Sequence, residues 1–491
     1  MGRFMSYWVV IYVIGLARSS LAVNVLFLLA DDGGFELGVY RNRIVQTPNI
    51  DALAKNSLIF NQAHTSVSSC SPSRAALLSG IPSHQNGMYG LHHGVHHFSS
   101  LDSVTTLTSI LSKNQIYTGI IGKKHVGPEN VYPFDFAHTE QTHESILQVG
   151  RNITNIKLLT REFLKEARKK QFFLYIGFHD PHRCGHTHPE YGSFCEKFGD
   201  GDEGHGVIPD WTPVVYRPED VFVPYFIQDT QAAREDIAAQ YTTISRLDAG
   251  VGLVLEELRV TDVLKNTLII YTSDNGIPFA AGRTNLYDSG SAVPLLIASP
   301  ETSARKYEVT NYLTSLVDLV PTIIDWYGLL DSCGVKFPGN SLLPLLQKEK
   351  PQSKAKIFYS HNLHEVTMYY PMRAIRTKRY KLIHNLNFNS PFPIDQDLYV
   401  SPSFQDLLNR TKQGQTKFWY RSLKHYAHRP EWELFDMKHD PEEVDNLVFT
   451  PKYKDILQGL KTDLWLWQKN SSDPWLCSPN GILEHDECMS L

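Results

Sequence analysis

The sequence predicts an α/β fold: a large domain on a central, mostly parallel sheet covered by helices, then a smaller α+β domain with an antiparallel sheet. Three observations predict it. Mainly apolar runs recur at residues 23–30, 172–178 and 267–272, the first near-continuous as expected of a strand covered on both faces. Helix-like stretches separate them, which is the alternation of a parallel sheet. Each run also ends in polar residues suited to chemistry, at the edge where open α/β sheets place their sites.

Taken in order, residues 23–30 form the first strand and end at Asp31-Asp32-Gly33-Gly34. Thr47-Pro48 opens a helix, with a capping hydroxyl and a proline at the first helical position. Residues 73–79 read as a second helix, bounded by Pro72 and stopped at Gly80. Strands at 117–121, 172–178 and 267–272 lead into Gly122-Lys123-Lys124-His125, His179-Asp180-Pro181-His182 and Asp274-Asn275-Gly276. Residues 293–298 add a strand, and 314–326 read as a helix despite Pro321. After about residue 370 the texture changes. Residues 373–383 alternate charged and apolar types like one half-exposed strand, 385–404 are rich in Pro, Asn and aromatics, and 432–441 read as a strand entering a turn. The expected organisation is a signal at 1–22, a catalytic domain at 23–370 and a C-terminal domain at 371–491.

Lys plus Arg number 47 against 52 Asp plus Glu, a formal net charge of -5, so no global basic field recommends a nucleic-acid partner. Arg3, the apolar residues 7–16 and Ser20-Leu21-Ala22 read as a secretory signal cleaved after Ala22, and no later run reaches membrane-spanning length. Secretory entry makes the cysteines readable. Cys184 with Cys195, and Cys477 with Cys488, are expected as two local disulfides. With Cys70 set aside, Cys333 remains as a buried free thiol. Asn152, Asn409 and Asn470 open N-glycan acceptor sequons.

Asp31 and Asp32 at one strand end and Asp274-Asn275 at another supply hard oxygen ligands, suited to Ca²⁺ or Mg²⁺ rather than Zn²⁺. Either pair alone reads as a solvated turn; both after apolar strands point to a metal. Cys70, at a helix start in Cys70-Ser71-Pro72-Ser73-Arg74, is a buried thiol or a cysteine nucleophile. A Cys-x-Pro-x-Arg match by chance is expected on the order of 0.02 times, so the motif carries weight. Lys123, His125 and Arg283 alone would be exposed basic residues. His179 and His182 fit loop residues or proton carriers better than zinc ligands. His84, His92, His93, His96 and His97 read as a loop lining a substrate entrance, and residues 361–365 as a substrate-contacting loop from the far side.

The pentapeptide at Cys70 and its continuation Ala75-Ala76-Leu77-Leu78-Ser79-Gly80 resemble the signature of the sulfatase family. The resemblance implies an alkaline phosphatase-like fold and a cysteine oxidised to formylglycine by a formylglycine-generating enzyme. It also implies one Ca²⁺ per subunit, held by Asp31, Asp32, Cys70 as formylglycine, Asp274 and Asn275. In the family's Gly-Lys-x-His segment the lysine grips a sulfate oxygen and the histidine bonds the formylglycine hydroxyl, the places of Lys123 and His125. Lys124 departs from the aromatic residue common between them, and Arg283 stands near a customary lysine, offering a planar fork for an oxyanion. Arg74 would hold the hydrated aldehyde and His182 protonate the leaving group, while Asp180 orients the site or contacts substrate.

Segments such as residues 122–128, 178–185, 272–278 and 392–397 further resemble sulfatases that remove the N-sulfate of a terminal glucosamine during heparan sulfate breakdown. The implied reaction is double displacement through a sulfated enzyme, in a lysosomal homodimer acting on heparan sulfate-derived oligosaccharides. An O-sulfatase, a phosphatase of the same superfamily and a non-catalytic sugar-binding protein are the competing expectations.

Overall fold

The computed structural model describes residues 23–141, 148–184, 191–350, 355–415, 421–485 and 487–490; the expected signal lies outside them. The main sheet contains β1 (Asn24–Ala30), β2 (Leu58–Phe60), β3 (Tyr117–Gly122), β4 (Phe136–Thr139), β5 (Phe172–Gly177), β6 (Thr267–Ser273), β7 (Leu295–Ala298) and β8 (Glu308–Thr310), in the spatial order β4-β3-β5-β1-β6-β7-β2-β8. β1 lies at its centre, parallel to β5 on one side and β6 on the other. Only β7 runs against its neighbours β6 and β2.

Why β1 lacks alternation is visible in its packing. Leu26, Leu28 and Ala30 enter the core on one face, Val25, Phe27 and Leu29 the core on the other. Burying each large side chain contributes about 1.5–3 kcal/mol, so both faces demand apolar residues. The register aligns the strand ends that matter: Leu29 lies beside Gly177, Ala30 beside Ser273 and Gly122 beside Gly177. The polar segments that follow these strands therefore emerge together.

Around the sheet lie α1 (Pro48–Ala54), α2 (Cys70–Ser79), α3 (Ile153–Glu166), α4 (Gln231–Val260) and α5 (Leu319–Trp326). α2 starts at Cys70, earlier than expected, and Pro72 falls inside its first turn, where a missing N–H breaks no helical bond. The expected helix over 314–326 divides into a two-residue strand, a 3₁₀ turn at Leu316–Asp318 and α5, whose Pro321 is again in the first turn. The long α4 was not anticipated.

Four antiparallel strands, β9 (Lys356–His361), β10 (Met372–Thr377), β11 (Tyr380–Asn385) and β12 (Trp432–Asp436), form a second sheet. β9 begins before residue 370, and residues 373–383 span two strands of a hairpin rather than one. A short helix, α6 (Gln396–Tyr399), lies in the connection between β11 and β12. Helix α7 (Lys454–Asn470) covers the sheet, with Leu460 and Leu464 packed on Ile375, Leu382 and Leu434.

Cys184 is bonded to Cys195 and Cys477 to Cys488, with Cα–Cα separations of 5.3 Å in both. Cys333 is half-buried rather than buried, its thiol directed at the carbonyl of Leu330. Asn409 and Asn470 are exposed on helices, whereas Asn152 caps α3 by accepting from the N–H of Asn155. Among the described residues, no helix is long and apolar enough to cross a membrane.

Candidate active site

Four acid-site residues meet where β1 and β6 end. The N–H of Asp32 donates to Asp274 Oδ1 at 3.0 Å, and Asn275 Nδ2 donates to Asp32 Oδ1 at 2.7 Å. Asp32 adopts φ +58°, a left-handed conformation that costs energy in a non-glycine residue and is retained where the surroundings dictate it. All four residues are fully buried. Asn275 Oδ1 has no hydrogen-bond partner, so the cluster holds an unsatisfied oxygen beside three carboxylates. Such a set of hard donors fits a divalent cation of the Ca²⁺ or Mg²⁺ type. Asp31, Cys70 and Asp274 each present a ligand atom within 4.8 Å of the others, and so do Asp32, Cys70 and His182.

Cys70 begins α2 with 1% exposure, and its Sγ lies 3.9 Å from Asp32 Oδ1. Burial raises the thiol pKa well above its ordinary value; Lys123 opposes this, but Asp32, Asp31 and Asp274 reinforce it. An unmodified thiolate nucleophile is therefore disfavoured at this position. Four residues on, Arg74 is fully buried, not a surface charge. Its Nε donates to Asp274 Oδ2 at 2.8 Å, Nη2 to Asp31 Oδ1 at 3.1 Å and Nη1 to the Lys123 carbonyl at 2.8 Å. The arginine thus locks α2, β1, β3 and β6 around Cys70.

Lys123 Nζ donates to both oxygens of Asp31, at 2.8 and 2.6 Å. The turn that delivers it needs Gly122, at φ +96°, because a Cβ there would collide with the carbonyl oxygen of Gly177. His125 also has positive φ, +54°, and its N–H donates to Glu140 Oε1 at 2.8 Å. Its ring is buried with Nδ1 unpartnered, and burial followed by Lys123 and His93 holds its pKa well below the ordinary histidine value.

His182 Nδ1 lies 2.6 Å from the Arg183 carbonyl, which can only accept, so the ring proton sits on Nδ1. Nε2 then accepts from Arg283 Nη1 at 3.0 Å. To act as a proton donor to a leaving group, His182 must become the imidazolium while Arg283 turns to another acceptor. Arg283 itself spans the pocket. Nη1 donates to Asp32 Oδ2 at 2.6 Å, and Nη2 pairs with Asp395 Oδ1 at 3.1 Å and with Asp397 Oδ1.

Asp180 lies nearby, its carboxylate engaged by two arginines. Arg151 Nη1 donates to Oδ1 at 2.6 Å, and Arg246 donates to Oδ2 at 2.8 Å and to Oδ1 at 2.9 Å. With 1% exposure and two arginines on it, the group is held as an orienting residue would be. Of the histidine-rich stretch, His84 is structural, its ring held between Ser360 Oγ and Ser471 Oγ at 2.8 and 2.9 Å. His93 reaches the site, with its ring centroid 4.6 Å from that of His125. In the 361–365 loop, His364 Nδ1 lies 2.9 Å from Ser69 Oγ, next to Cys70. Sequence reasoning assigned no role to Arg151, Arg246, Asp395 or Asp397. Only the last two carried a signal, as the paired acids of Pro393-Ile394-Asp395-Gln396-Asp397.

The family described as Sulfatase matches residues 23–329. The chain belongs to the sulfatase family. A second match, described as N-sulphoglucosamine sulphohydrolase, C-terminal, covers residues 282–399 and 403–470. The human N-sulphoglucosamine sulphohydrolase is 57% identical over 479 residues, 96% of this chain and 95% of that protein. An ulvan-active sulfatase of Formosa agariphila is 30% identical over 92% of this chain and 80% of its own length. Among solved structures, one in complex with its substrate D-glucosamine-2-N,6-O-disulfate superposes with a TM-score of 0.64 at 21% identity, covering 92% of this chain and 99% of that one. A phosphonate monoester hydrolase from Silicibacter pomeroyi superposes at 0.60 with 16% identity over 96% of this chain and 99% of that one, so the fold by itself does not choose sulfur over phosphorus.

Proposed function

We propose that this sulfatase hydrolyses the N-sulfate of a non-reducing-end N-sulfoglucosamine in heparan sulfate-derived oligosaccharides. The observation that carries the reading is the 57% identity to the human N-sulphoglucosamine sulphohydrolase, sustained over 96% of the chain. The site geometry is consistent with it: a helix-start cysteine held neutral among carboxylates is a poor thiolate but well placed for an aldehyde hydrate as nucleophile.

In this reading Cys70 is converted to formylglycine, whose hydrate supplies the oxygen that attacks sulfur. Asp31, Asp32, Asp274 and Asn275, with the modified residue 70, hold one Ca²⁺, which when bound polarises a sulfuryl oxygen and favours ionisation of the hydrate. Lys123 and Arg283 leave their carboxylates in part to hold the sulfuryl oxygens. Arg74 keeps residue 70 in register with the acids, and His125 bonds its hydroxyl. Once Arg283 engages sulfate, His182 Nε2 is released to carry a proton to the departing nitrogen. Water is excluded by the burial of every one of these groups except the His182 edge, 20% exposed.

The finer expectations belong to the same reading. The catalytic unit expected at 23–370 and the C-terminal unit expected at 371–491 divide better just before β9, which belongs to the second sheet, and the chain works as a lysosomal homodimer matured by a formylglycine-generating enzyme. Asn409 and Asn470 are open to glycosylation, being exposed; Asn152, half-buried, is the more constrained acceptor.

The test is turnover of N-sulfoglucosamine, beside 6-O-sulfated and phosphorylated glucosamine, by the wild type and Cys70→Ala. The reading expects turnover of the N-sulfated sugar by the wild type alone, and a Cys70 peptide carrying the aldehyde mass. Equal activity of Cys70→Ala would sink the formylglycine mechanism. A preference for the O-sulfated or phosphorylated sugar would replace the substrate assignment.

A further inference from the structure

The geometry points to Asp397 as the residue that recognises the substrate's nitrogen, accepting the sulfamate N–H and then the ammonium of the product, a role that rests on the N-sulfate reading above. Asp397 Oδ1 is occupied, accepting from Arg283 Nη2 and from the N–H of Leu398 at 2.9 Å. Oδ2 is buried and accepts from no N–H or hydroxyl, the Asp397 carboxylate sharing one further hydrogen bond with the carboxyl of Asp395, and it lies 3.9 Å from His182 Nε2. A buried carboxylate oxygen short of donors is costly, and the cost falls when a ligand supplies one. The oxygen is held in place from below. Asp395 caps α6 by accepting from the N–H of Leu398 at 2.9 Å, which fixes the turn that carries Asp397.

His182 stands between the two acids in reach. Its Nε2 lies 3.6 Å from Asp32 Oδ2, beside the groups for the sulfuryl oxygens, and 3.9 Å from Asp397 Oδ2, so an atom that takes the His182 proton comes within reach of Asp397. A carboxylate is acceptor-only. The bridging atom of a sulfamate carries a hydrogen and can donate to it, whereas the bridging oxygen of an O-sulfate presents only lone pairs. When the N–S bond breaks, its electron pair stays on nitrogen, which takes one proton from His182 and becomes the amine. A second proton from water makes the ammonium, which the carboxylate stabilises further, while an alcohol product gains no such charge. The same oxygen thus favours N–S cleavage twice, in the substrate and in the product. Arg283 connects this selectivity to the sulfate side, being bonded to Asp397 and Asp32 at once.

The experiment titrates wild type and Asp397→Asn with glucosamine and, separately, with inorganic sulfate by calorimetry, which needs no turnover. The expected result is a loss of at least about tenfold in glucosamine affinity, a charge-assisted hydrogen bond's worth, with sulfate affinity changed less than about threefold. Equal losses for both ligands would overturn the assignment, reducing Asp397 to a positioning residue for Arg283; no loss for either would also overturn it. A variant-free arm covers misfolding of the substituted protein. Wild type should bind glucosamine at least about tenfold more tightly than glucose, and parity would refute the recognition. Failure of the wild type to turn over N-sulfoglucosamine would instead refute the proposed function, and leaves this binding comparison readable.

Discussion

Asp180→Asn separates two roles for the same residue. As a substrate contact, which the sequence allowed, its loss would raise KM and leave the fold intact. As an anchor, which its two ion pairs favour, its loss would act on stability first. The carboxylate accepts three charge-assisted bonds of 2.6–2.9 Å from two arginines, each with a side chain no more than 5% exposed. Asparagine removes the charge and leaves both guanidiniums buried without it, a class of change that costs about 3–5 kcal/mol. Arg151 also donates to the carbonyls of His182 and Arg183 at 2.9 and 3.2 Å, so its release loosens the loop that carries the proton donor. The expected outcome is a fall of several degrees in melting temperature by calorimetry, together with a lower kcat on N-sulfoglucosamine at little-changed KM. An unchanged melting curve with a raised KM would refute the anchoring argument and restore the substrate contact.

Chelation of the purified protein should lower its melting temperature, and Ca²⁺ should restore it, because binding to the folded state alone stabilises by mass action; Asp274→Asn should abolish the response, and a chelator-insensitive wild type would count against the cation. His84 should carry a measurable pH signature. Burial, then Arg373, lowers its pKa from 6.5 to about 3, so the unfolded chain takes up a proton below pH 6.5 that the folded one does not. Its neutral form contributes fully above pH 6.5, and the contribution is lost as pH falls towards 3, amounting to about 2 kcal/mol by pH 5. Denaturant unfolding of wild type and His84→Asn at pH 7.5 and 5 should therefore show their stability difference moving by about 2 kcal/mol in the variant's favour; a constant difference would dispose of the argument. Gly122→Ala should inactivate before it unfolds, since the collision with Gly177 displaces the turn that delivers Lys123, and normal kcat in that variant would contradict it.

What could be read from the sequence follows from where its signals are local. β1, β5 and β6 are legible because a strand packed on both faces must be apolar throughout, and their ends carry Asp31, His179 and Asp274 in plain view. The long α4 escaped because its buried surface includes Gln240, Thr242, Thr243, Ser245, Arg246 and Asp248, which erase the apolar stripe that marks a helix. Those polar residues are inside because they serve partners far along the chain, Asp180 for Arg246 and the α1 N–H groups for Asp248. The hairpin between β10 and β11 escaped because its turn, Lys378-Arg379, contains none of the residues that announce one. At the site, each residue that follows an apolar strand was found. Arg151 and Arg246 were given no role, because the turn before a helix and a helix interior give a charge no local reason to be noticed; Asp395 and Asp397 showed only as paired acids, with nothing local to tie them to a site.

The bond from Arg283 to Asp395 and Asp397 also sets an order of assembly. Cys70 leaves the ribosome more than 300 residues before Asp397, which at ordinary elongation rates is an interval of roughly fifteen to sixty seconds. Through that interval the α6 acids are missing from around residue 70, so the cysteine is more open than at its 1% exposure in the finished fold, as the proposed conversion to formylglycine requires. The pocket is completed by its last-made part, and on the proposed reading the time for chemistry on Cys70 is set by the length of chain still to come.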